Sequence, residues 1–450
     1  MVRKGLTGIT SNIKERLVQQ ALERRLRRVE QPEARPDPVK REPGAAADVP
    51  EKFYRFHLYP GYQQLRIIED GAAKLGVVNP YFKVHDGIAG VTTRIDGREY
   101  LNFASYNYLG LCGDPRVSEA AKAAIDRYGT SVSASRLVAG ERAIHRDLER
   151  AIADAYEVDD AVAFVSGHAT NVSVIGHLFG PKDLVLHDAL IHNSALQGIR
   201  LSGAHRLPFP HNDLAALDAM LADKRRQFER VLIVVEGIFG MDGDYPDLPR
   251  LIEVKRRHRA FLMVDEAHSF GVMGRTGLGI REHFGLKGAD VDIWMGTLSK
   301  ALASCGGFVA GETALIEHLK FLAPGFLYSV GMPAPAAAAA LAALECMRAE
   351  PARVATLQQR GLLFRNEARA AGIDVGSSAG FAVVPAIMGK SASAVRLFHA
   401  LLKRGIHAQP ILYPAVPEKS ARLRFFINSG HTEEQIMGAV RVLREETARA

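Results

Sequence analysis

Lys300 ends the segment Asp292-Ile-Trp-Met-Gly-Thr-Leu-Ser-Lys300, an apolar run that closes in small hydroxyl residues and one amine. Upstream, Phe261-Leu-Met-Val-Asp265-Glu-Ala-His268 has the same shape and closes in a carboxylate and an imidazole. Both predict buried strands whose last residues emerge at the carboxyl edge of a sheet, where open α/β sheets bind ligands. A lysine at that edge suits a Schiff base, and an acid beside it suits the nitrogen of a pyridinium ring. The pair is the protein half of pyridoxal 5'-phosphate chemistry.

Further segments supply what such a cofactor and an amino-acid substrate need. Phe164-Val-Ser-Gly-His-Ala-Thr-Asn171 takes a strand through Ser166-Gly167 into a helix, whose first N–H groups at Gly167 and His168 present positive dipole ends to an anion. Taken alone that turn is a common structural device; Thr297 and Ser299 add the hydroxyls that a phosphate also needs. His187-Asp-Ala-Leu-Ile-His192 ends another strand, and an imidazole there can stack on a heteroaromatic ring, although a lone histidine is more often a cap or a satisfied core residue. His268 is spaced to orient Asp265 or to meet the ring's phenolic oxygen. In Ala421-Arg422-Leu-Arg424 the two arginines share one face of a strand. Arginines on edge strands are ordinary surface residues; beside this site, one becomes a bidentate clamp for a carboxylate.

The elements that must position these groups follow from hydrophobic periodicity. Strands are predicted at 161–165, 183–187, 205–207, 231–235, 261–264, 293–296 and 307–310, mostly separated by helical patterns, which implies a largely parallel sheet covered on both faces. Asp96-Gly97 inside the alternating run 91–103 marks a hairpin. After Pro333-Ala-Pro335 come two long helices and strands near 381–387, 406–411 and 423–427. The expected division is therefore a basic amphipathic helix with a proline-rich linker (1–50), an arm and hairpin (51–100), a large cofactor-binding domain (101–332) and a smaller α+β domain (333–450).

Composition removes several alternatives. The chain has 450 residues, 24% charged and 47% hydrophobic, as soluble globular chains do. Cys112, Cys305 and Cys346 show no ligand spacing, so neither a disulfide framework nor a structural metal is expected, and a reducing, cytoplasmic setting fits. No apolar run approaches the roughly 18–20 residues of a membrane span, and the N-terminus carries no secretory h-region. The net charge is +7, of which residues 1–50, with eleven Lys/Arg and seven Asp/Glu, hold +4. The basic character therefore sits partly in the leader, which is either a solvated segment or a docking helix for an acidic protein partner, and no nucleic-acid-binding module is present.

Four segments together resemble the α-oxoamine synthase family of fold-type I pyridoxal-phosphate enzymes: Ser105-Tyr-Asn-Tyr-Leu-Gly110, Glu236-Gly-Ile-Phe-Gly-Met-Asp-Gly-Asp244, Val264-Asp-Glu-Ala-His-Ser-Phe-Gly271 and Gly296-Thr-Leu-Ser-Lys300. The likeness runs from about residue 60 to about 445, and the first segment is closest to serine palmitoyltransferase-like members. It implies a mostly parallel seven-stranded sheet with helices on its faces and a smaller C-terminal α+β domain. By the same resemblance Lys300 carries the cofactor and moves the substrate proton, Asp265 pairs with the pyridinium nitrogen, and His192 stacks on the ring and helps hold the substrate carboxylate. His268 supports the cofactor's phenolic oxygen. Gly167, His168, Thr297 and Ser299 surround the phosphate, while Asn107, Arg422 and Arg424 serve the substrate. Family members are homodimers with shared sites, so Ser329 in Tyr328-Ser-Val-Gly-Met-Pro333 would reach a second subunit's phosphate.

The implied reaction is a decarboxylative Claisen-type condensation of serine, alanine or glycine with an acyl thioester, giving an α-aminoketone, carbon dioxide and free thiol. The donor is acyl-CoA or an acyl carrier protein, the latter docking on the basic leader helix. An aminotransferase or C–C lyase on the same fold would share Lys300 and Asp265 but release no thiol, and a non-catalytic partner subunit would usually have lost the lysine. Two departures stand out. Gly240 replaces the hydroxyl residue usual in the second segment, and His168 replaces the usual aromatic after Ser-Gly.

Overall fold

The computed structural model describes residues 49–74 and 78–449. The predicted leader helix at 10–30, and with it the docking surface for an acidic carrier, lies outside the described residues. Those that are described fall into two compact units that divide between Phe82 and Lys83. The first holds the helix Pro60–Lys74 and exposes Phe53, Phe56 and Phe82.

The second unit begins with strands β1 (His85–Asp86), β2 (Thr92–Ile95) and β3 (Arg98–Asn102). The β2–β3 hairpin turns on Asp96 and Gly97, with φ of 50° and 77°. Both are left-handed, as the tight turn between right-twisted strands requires, which is why an Asp-Gly pair sits there.

Seven strands form the main sheet: β4 (Asp160–Phe164), β5 (Leu184–Asp188), β6 (His205–Phe209), β7 (Val231–Glu236), β8 (Phe261–Asp265), β9 (Ile293–Thr297) and β10 (Gly307–Gly311). Their spatial order is β4-β10-β9-β8-β7-β5-β6. Every residue of β5 and β7 is buried, as expected of strands covered on both faces. β10 alone runs against its neighbours, antiparallel to both β9 and β4. A parallel return needs a crossover of about a dozen residues or more. The turn from β9 through Ser299-Lys300 to Gly307 is shorter than that and contains no helix, so the chain can only double back.

Beyond the sheet, the helix Ala334–Ala349 packs against the helices Pro115–Tyr128 and Ala143–Tyr156. Its buried face is Ala337, Ala338, Ala340 and Ala343, small side chains that let helices approach closely. The C-terminal portion holds β11 (Val383–Gly389), β12 (Ile406–His407), β13 (Gln409–Ile411) and β14 (Ala421–Phe426). β11, β14 and β13 make an antiparallel sheet, while β12 joins β3 in parallel. The 406–411 run is thus split between two sheets, because Ala408 separates two short pairings.

Because the Ala340 face has no slack, Ala340→Leu should overpack the helix contact and cost about 1–3 kcal/mol. Urea unfolding should show a lower midpoint at unchanged slope; an unshifted midpoint would mean that the helices can separate freely there.

Candidate active site

The carboxyl ends of β4, β5, β7, β8 and β9 deliver their residues to one edge of the sheet. At the end of β4, Ser166 caps the helix Gly167–Leu178, its Oγ accepting the Ala169 N–H at 3.4 Å. A Cβ on Gly167 would lie 2.8 Å from Thr297 Oγ1, so glycine alone leaves the gap between the helix start and the β9 end open. Thr297 Oγ1 donates to the Gly306 carbonyl (3.0 Å) and accepts the Ser299 N–H (3.2 Å). Gly167, Thr297 and Ser299 therefore come together as predicted, on a helix N-terminus suited to an anion. His168 begins the same helix and is exposed.

At the ends of β5 and β8, His192 caps the helix Asn193–Ser202 and Asp265 lies buried. Asp265 accepts the Ala267 N–H at 3.0 Å on Oδ1 and Asn171 Nδ2 at 2.8 Å on Oδ2. His192 is open to solvent on the site side. Burial lowers its basicity below the ordinary imidazole value, with Asp265 opposing and Lys300 adding to the effect. His268, more deeply buried, is pushed well below that value by desolvation, and its Nδ1 lies 2.7 Å from the Tyr108 hydroxyl. Opposite Asp265 on the neighbouring strand stands Glu236. Burial, and then the Asp265 charge, raises its carboxyl to about 8, so it is neutral at neutral pH.

Lys300 is partly buried, with its Nζ 5.4 Å from the centre of the Tyr106 ring. Desolvation pulls its amine down to about 8, against the attraction of Asp265 and Glu236 and with help from Arg424. A substantial neutral fraction near physiological pH is what a nucleophilic, proton-moving lysine requires.

The two arginines of β14 part company. Arg422 Nη1 binds the Met241 carbonyl at 3.0 Å and Asp242 Oδ1 at 2.5 Å, so its charge is spent on the loop after β7. Arg424 Nη1 donates to the Gly240 carbonyl at 2.9 Å and Nη2 lies 3.4 Å from the Tyr106 hydroxyl. Its buried Nε has no partner among the described residues, a spare donor for an incoming carboxylate. Asn107 also departs from expectation. Its Nδ2 donates to the Ala89 carbonyl (2.9 Å) and its Oδ1 accepts the Cys112 N–H (3.1 Å), which occupies the side chain in holding its own loop. The preceding residue, Tyr106, faces the site instead. Ser329 donates to the Val330 carbonyl at 3.0 Å, in a segment where Tyr328 and Val330 are exposed.

Sequence reasoning passed over Tyr106, Tyr108, Glu236, Asn171 and Ser194. Two of them had a signal. Val231-Leu-Ile-Val-Val-Glu236 is another apolar run closing in a carboxylate, and Asn171 follows Gly167 by one helical turn, hence on the same face.

The site fits pyridoxal 5'-phosphate. It offers a glycine-lined helix start for the phosphate, a buried carboxylate for the ring nitrogen, an open imidazole for the ring face and a desolvated amine for the aldehyde carbon. The sequence model of the aminotransferase class I and II family matches residues 98–443. The 8-amino-7-oxononanoate synthase of Symbiobacterium thermophilum is 41% identical over 342 residues, 76% of this chain and 87% of that one. The Fervidobacterium nodosum 8-amino-7-oxononanoate synthase is 38% identical, covering 82% of this chain and 95% of its own. Among solved structures, the serine palmitoyltransferase of Sphingomonas wittichii superposes with a TM-score of 0.83 at 28% identity, over 86% of this chain and 98% of that one. The chain belongs to the α-oxoamine synthases of the aminotransferase class I and II family. Like other α-oxoamine synthases it uses pyridoxal 5'-phosphate.

In this α-oxoamine synthase, Gly240 stands where the resemblance predicts a hydroxyl residue, and the structure shows why a glycine is needed. A Cβ at this position would lie 2.3 Å from His268 Nε2, so no larger residue fits while the imidazole stays bonded to Tyr108. Gly240→Ser should therefore displace His268 and lower kcat/KM by on the order of 10²-fold, the usual effect of an ångström's misplacement. A serine variant as active as the parent would refute that packing argument. A second expectation follows from Lys300. With its amine near 8, the rate at which the cofactor-free protein captures pyridoxal 5'-phosphate should rise roughly fivefold from pH 7 to pH 8 and level off above it, as the neutral fraction does. Stopped-flow absorbance measures this; a rate still climbing steeply at pH 10 would mean an ordinary lysine.

Proposed function

We propose that this synthase condenses serine, alanine or glycine with an acyl thioester, carried on CoA or on an acyl carrier protein, using the residues at the carboxyl sheet edge in the following roles. When bound, the cofactor supplies an electron sink for the negative charge left at the amino acid's α-carbon. Lys300 Nζ takes the α-proton and later returns one. Asp265 holds the proton on the ring nitrogen. His192 covers the ring face, and His268 stands by the phenolic oxygen. Gly167, His168, Thr297 and Ser299 hold the phosphate. Arg424 would bind the substrate carboxylate and so set the orientation of the carbon–carbon bond that breaks. The α-carbon attacks the thioester carbonyl, the thiol leaves, carbon dioxide departs and the carbon is reprotonated.

The observation that carries this reading is the pairing of a desolvated, partly neutral Lys300 with Arg424, whose Nε is a spare donor. A carboxylate clamp beside a proton-moving amine is what an α-amino acid needs. The reading extends to a homodimer in which Ser329 serves the partner's phosphate, supported by the exposure of Tyr328 (83%) and Val330 (53%) beside it. It extends also to an acidic carrier protein drawn to the charge of residues 1–50, and to a cytoplasmic enzyme. No helix among the described residues is long and apolar enough to cross a membrane.

The test is release of free thiol across a panel of small amino acids with acyl-CoA and acyl-carrier donors. One pair should give thiol and carbon dioxide in equal amounts; keto-acid formation without thiol from any pair would replace the synthase reading by an aminotransferase. Arg424→Ala should raise KM for the amino acid by about 10²-fold, the loss of a charge-assisted contact of roughly 1.5–3 kcal/mol. Deleting residues 1–50 should slow the reaction with carrier-bound donor and leave the acyl-CoA reaction unchanged.

A further inference from the structure

Asn171, one turn into the helix that starts at Gly167, is almost wholly buried, and both hydrogens of its amide are used. Its Nδ2 lies 2.8 Å from Asp265 Oδ2 and 2.9 Å from Ser194 Oγ. Ser194 is equally buried, and its Oγ in turn lies 2.7 Å from His192 Nδ1. A continuous chain of hydrogen bonds thus joins Asp265 to His192. Neither group between its ends contacts solvent.

The donors and acceptors these groups carry set a direction for each bond. Asp265 accepts here, so the edge of Asn171 that faces it must be the NH₂ group, because a reversed amide would set two acceptors against each other. The second Asn171 hydrogen then goes to Ser194 Oγ. That hydroxyl, already an acceptor, has one proton left to give, and its only other neighbour in the chain is His192 Nδ1. The Ser194 backbone N–H also points at Nδ1, at 3.3 Å. Two donors facing one nitrogen require that nitrogen to accept. His192 must then carry its proton on Nε2, the atom on the imidazole edge away from the Ser194 contact.

We propose that Asn171 and Ser194 are positioning residues that relay the acceptor character of Asp265 to His192, fixing it as the Nε2–H tautomer so that it donates to an anionic oxygen of the bound amino acid. The consequence for binding rests on the reading of the site given above; the tautomer does not. A carboxylate held by Arg424 on one side would receive a neutral donor from His192 on the other. The depressed basicity of His192 is consistent with a neutral ring. Asn171 Oδ1 is buried and unpartnered among the described residues, so the amide is held entirely by the two bonds it donates.

The experiment uses the cofactor-loaded, full-length protein with ¹⁵N-labelled histidine rings. The His192 resonances are assigned by their loss in His192→Gln, and the tautomer is read from ring ¹⁵N shifts before any amino acid is added. Wild type should show a protonated Nε2 and an unprotonated, hydrogen-bonded Nδ1. In Ser194→Ala and in Asn171→Leu the two nitrogens should move toward the averaged shifts of a tautomer mixture. The dissociation constant for L-serine, glycine or L-alanine, read from the cofactor's absorbance change, should rise about tenfold with cofactor still bound. A wild-type ring protonated on Nδ1, or doubly protonated near pH 7.5, would overturn the proposal. So would variants whose ring shifts and amino-acid affinities match wild type. If wild type shows the Nε2–H ring but no absorbance response to any amino acid, the relay stands and the synthase reading fails.

Discussion

An amine, two carboxyl groups and two imidazoles share one poorly solvated sheet edge, and the site works only if they do not neutralise one another. A salt bridge between Lys300 and Asp265 would lock the amine in its charged form. Burial opposes it by drawing the amine down to about 8, while Asn171 and the Ala267 N–H each donate to one Asp265 oxygen and leave lone pairs for a ring N–H. Glu236, directly across the ladder from Asp265, avoids repulsion by remaining protonated. Burial thus leaves one neutral acid, one weakened amine and two weakly basic rings, and each state suits a different task.

The second requirement is that the C-terminal sheet keep its arginine aimed at that edge. The loop Phe239–Asp244 performs this coupling. Arg422 fastens to Asp242 and Met241, and Arg424 fastens to the Gly240 carbonyl. Behind them His211 bridges Asp188 and Asp244 at 2.9 Å each. Although burial opposes its charge, the two acids raise the imidazole to about 10, so the bridge is cationic at neutral pH. Ser377 reaches Asp244 from the other side at 2.8 Å. The loop therefore ties the main sheet to the arginine-bearing one through paired charges that no sequence period announces.

What the sequence made legible was whatever repeats with a period or ends a strand. The seven strands of the main sheet lie within a residue or two of their predicted ends, since a run such as Val231–Val235 can only be a strand covered on both faces. That Lys300, Asp265 and His192 lie at one sheet edge was legible because strand ends in such sheets meet there. The partners that Arg422 and Asn107 hold were not legible, because residue type and position do not reveal which group claims a side chain first. Asn171 and Ser194 were overlooked for the complementary reason. A buried amide and a buried hydroxyl look like helix-surface residues until the groups they join are known. The reversal of β10 was also unforeseen, although the brevity of the turn after Lys300 dictated it.

That reversal has a consequence for how the site tolerates change. β10 lies between β4 and β9, yet the helix start that suits an anion meets the end of β9 directly, a Cβ on Gly167 falling 2.8 Å from Thr297 Oγ1. β10 enters this edge through Gly306-Gly307, which put no side chain in the way. Their close approach is therefore set by glycine backbone at the sheet edge. Contacts around Tyr106 can change while the approach between the anchor and the amine-bearing turn stays fixed.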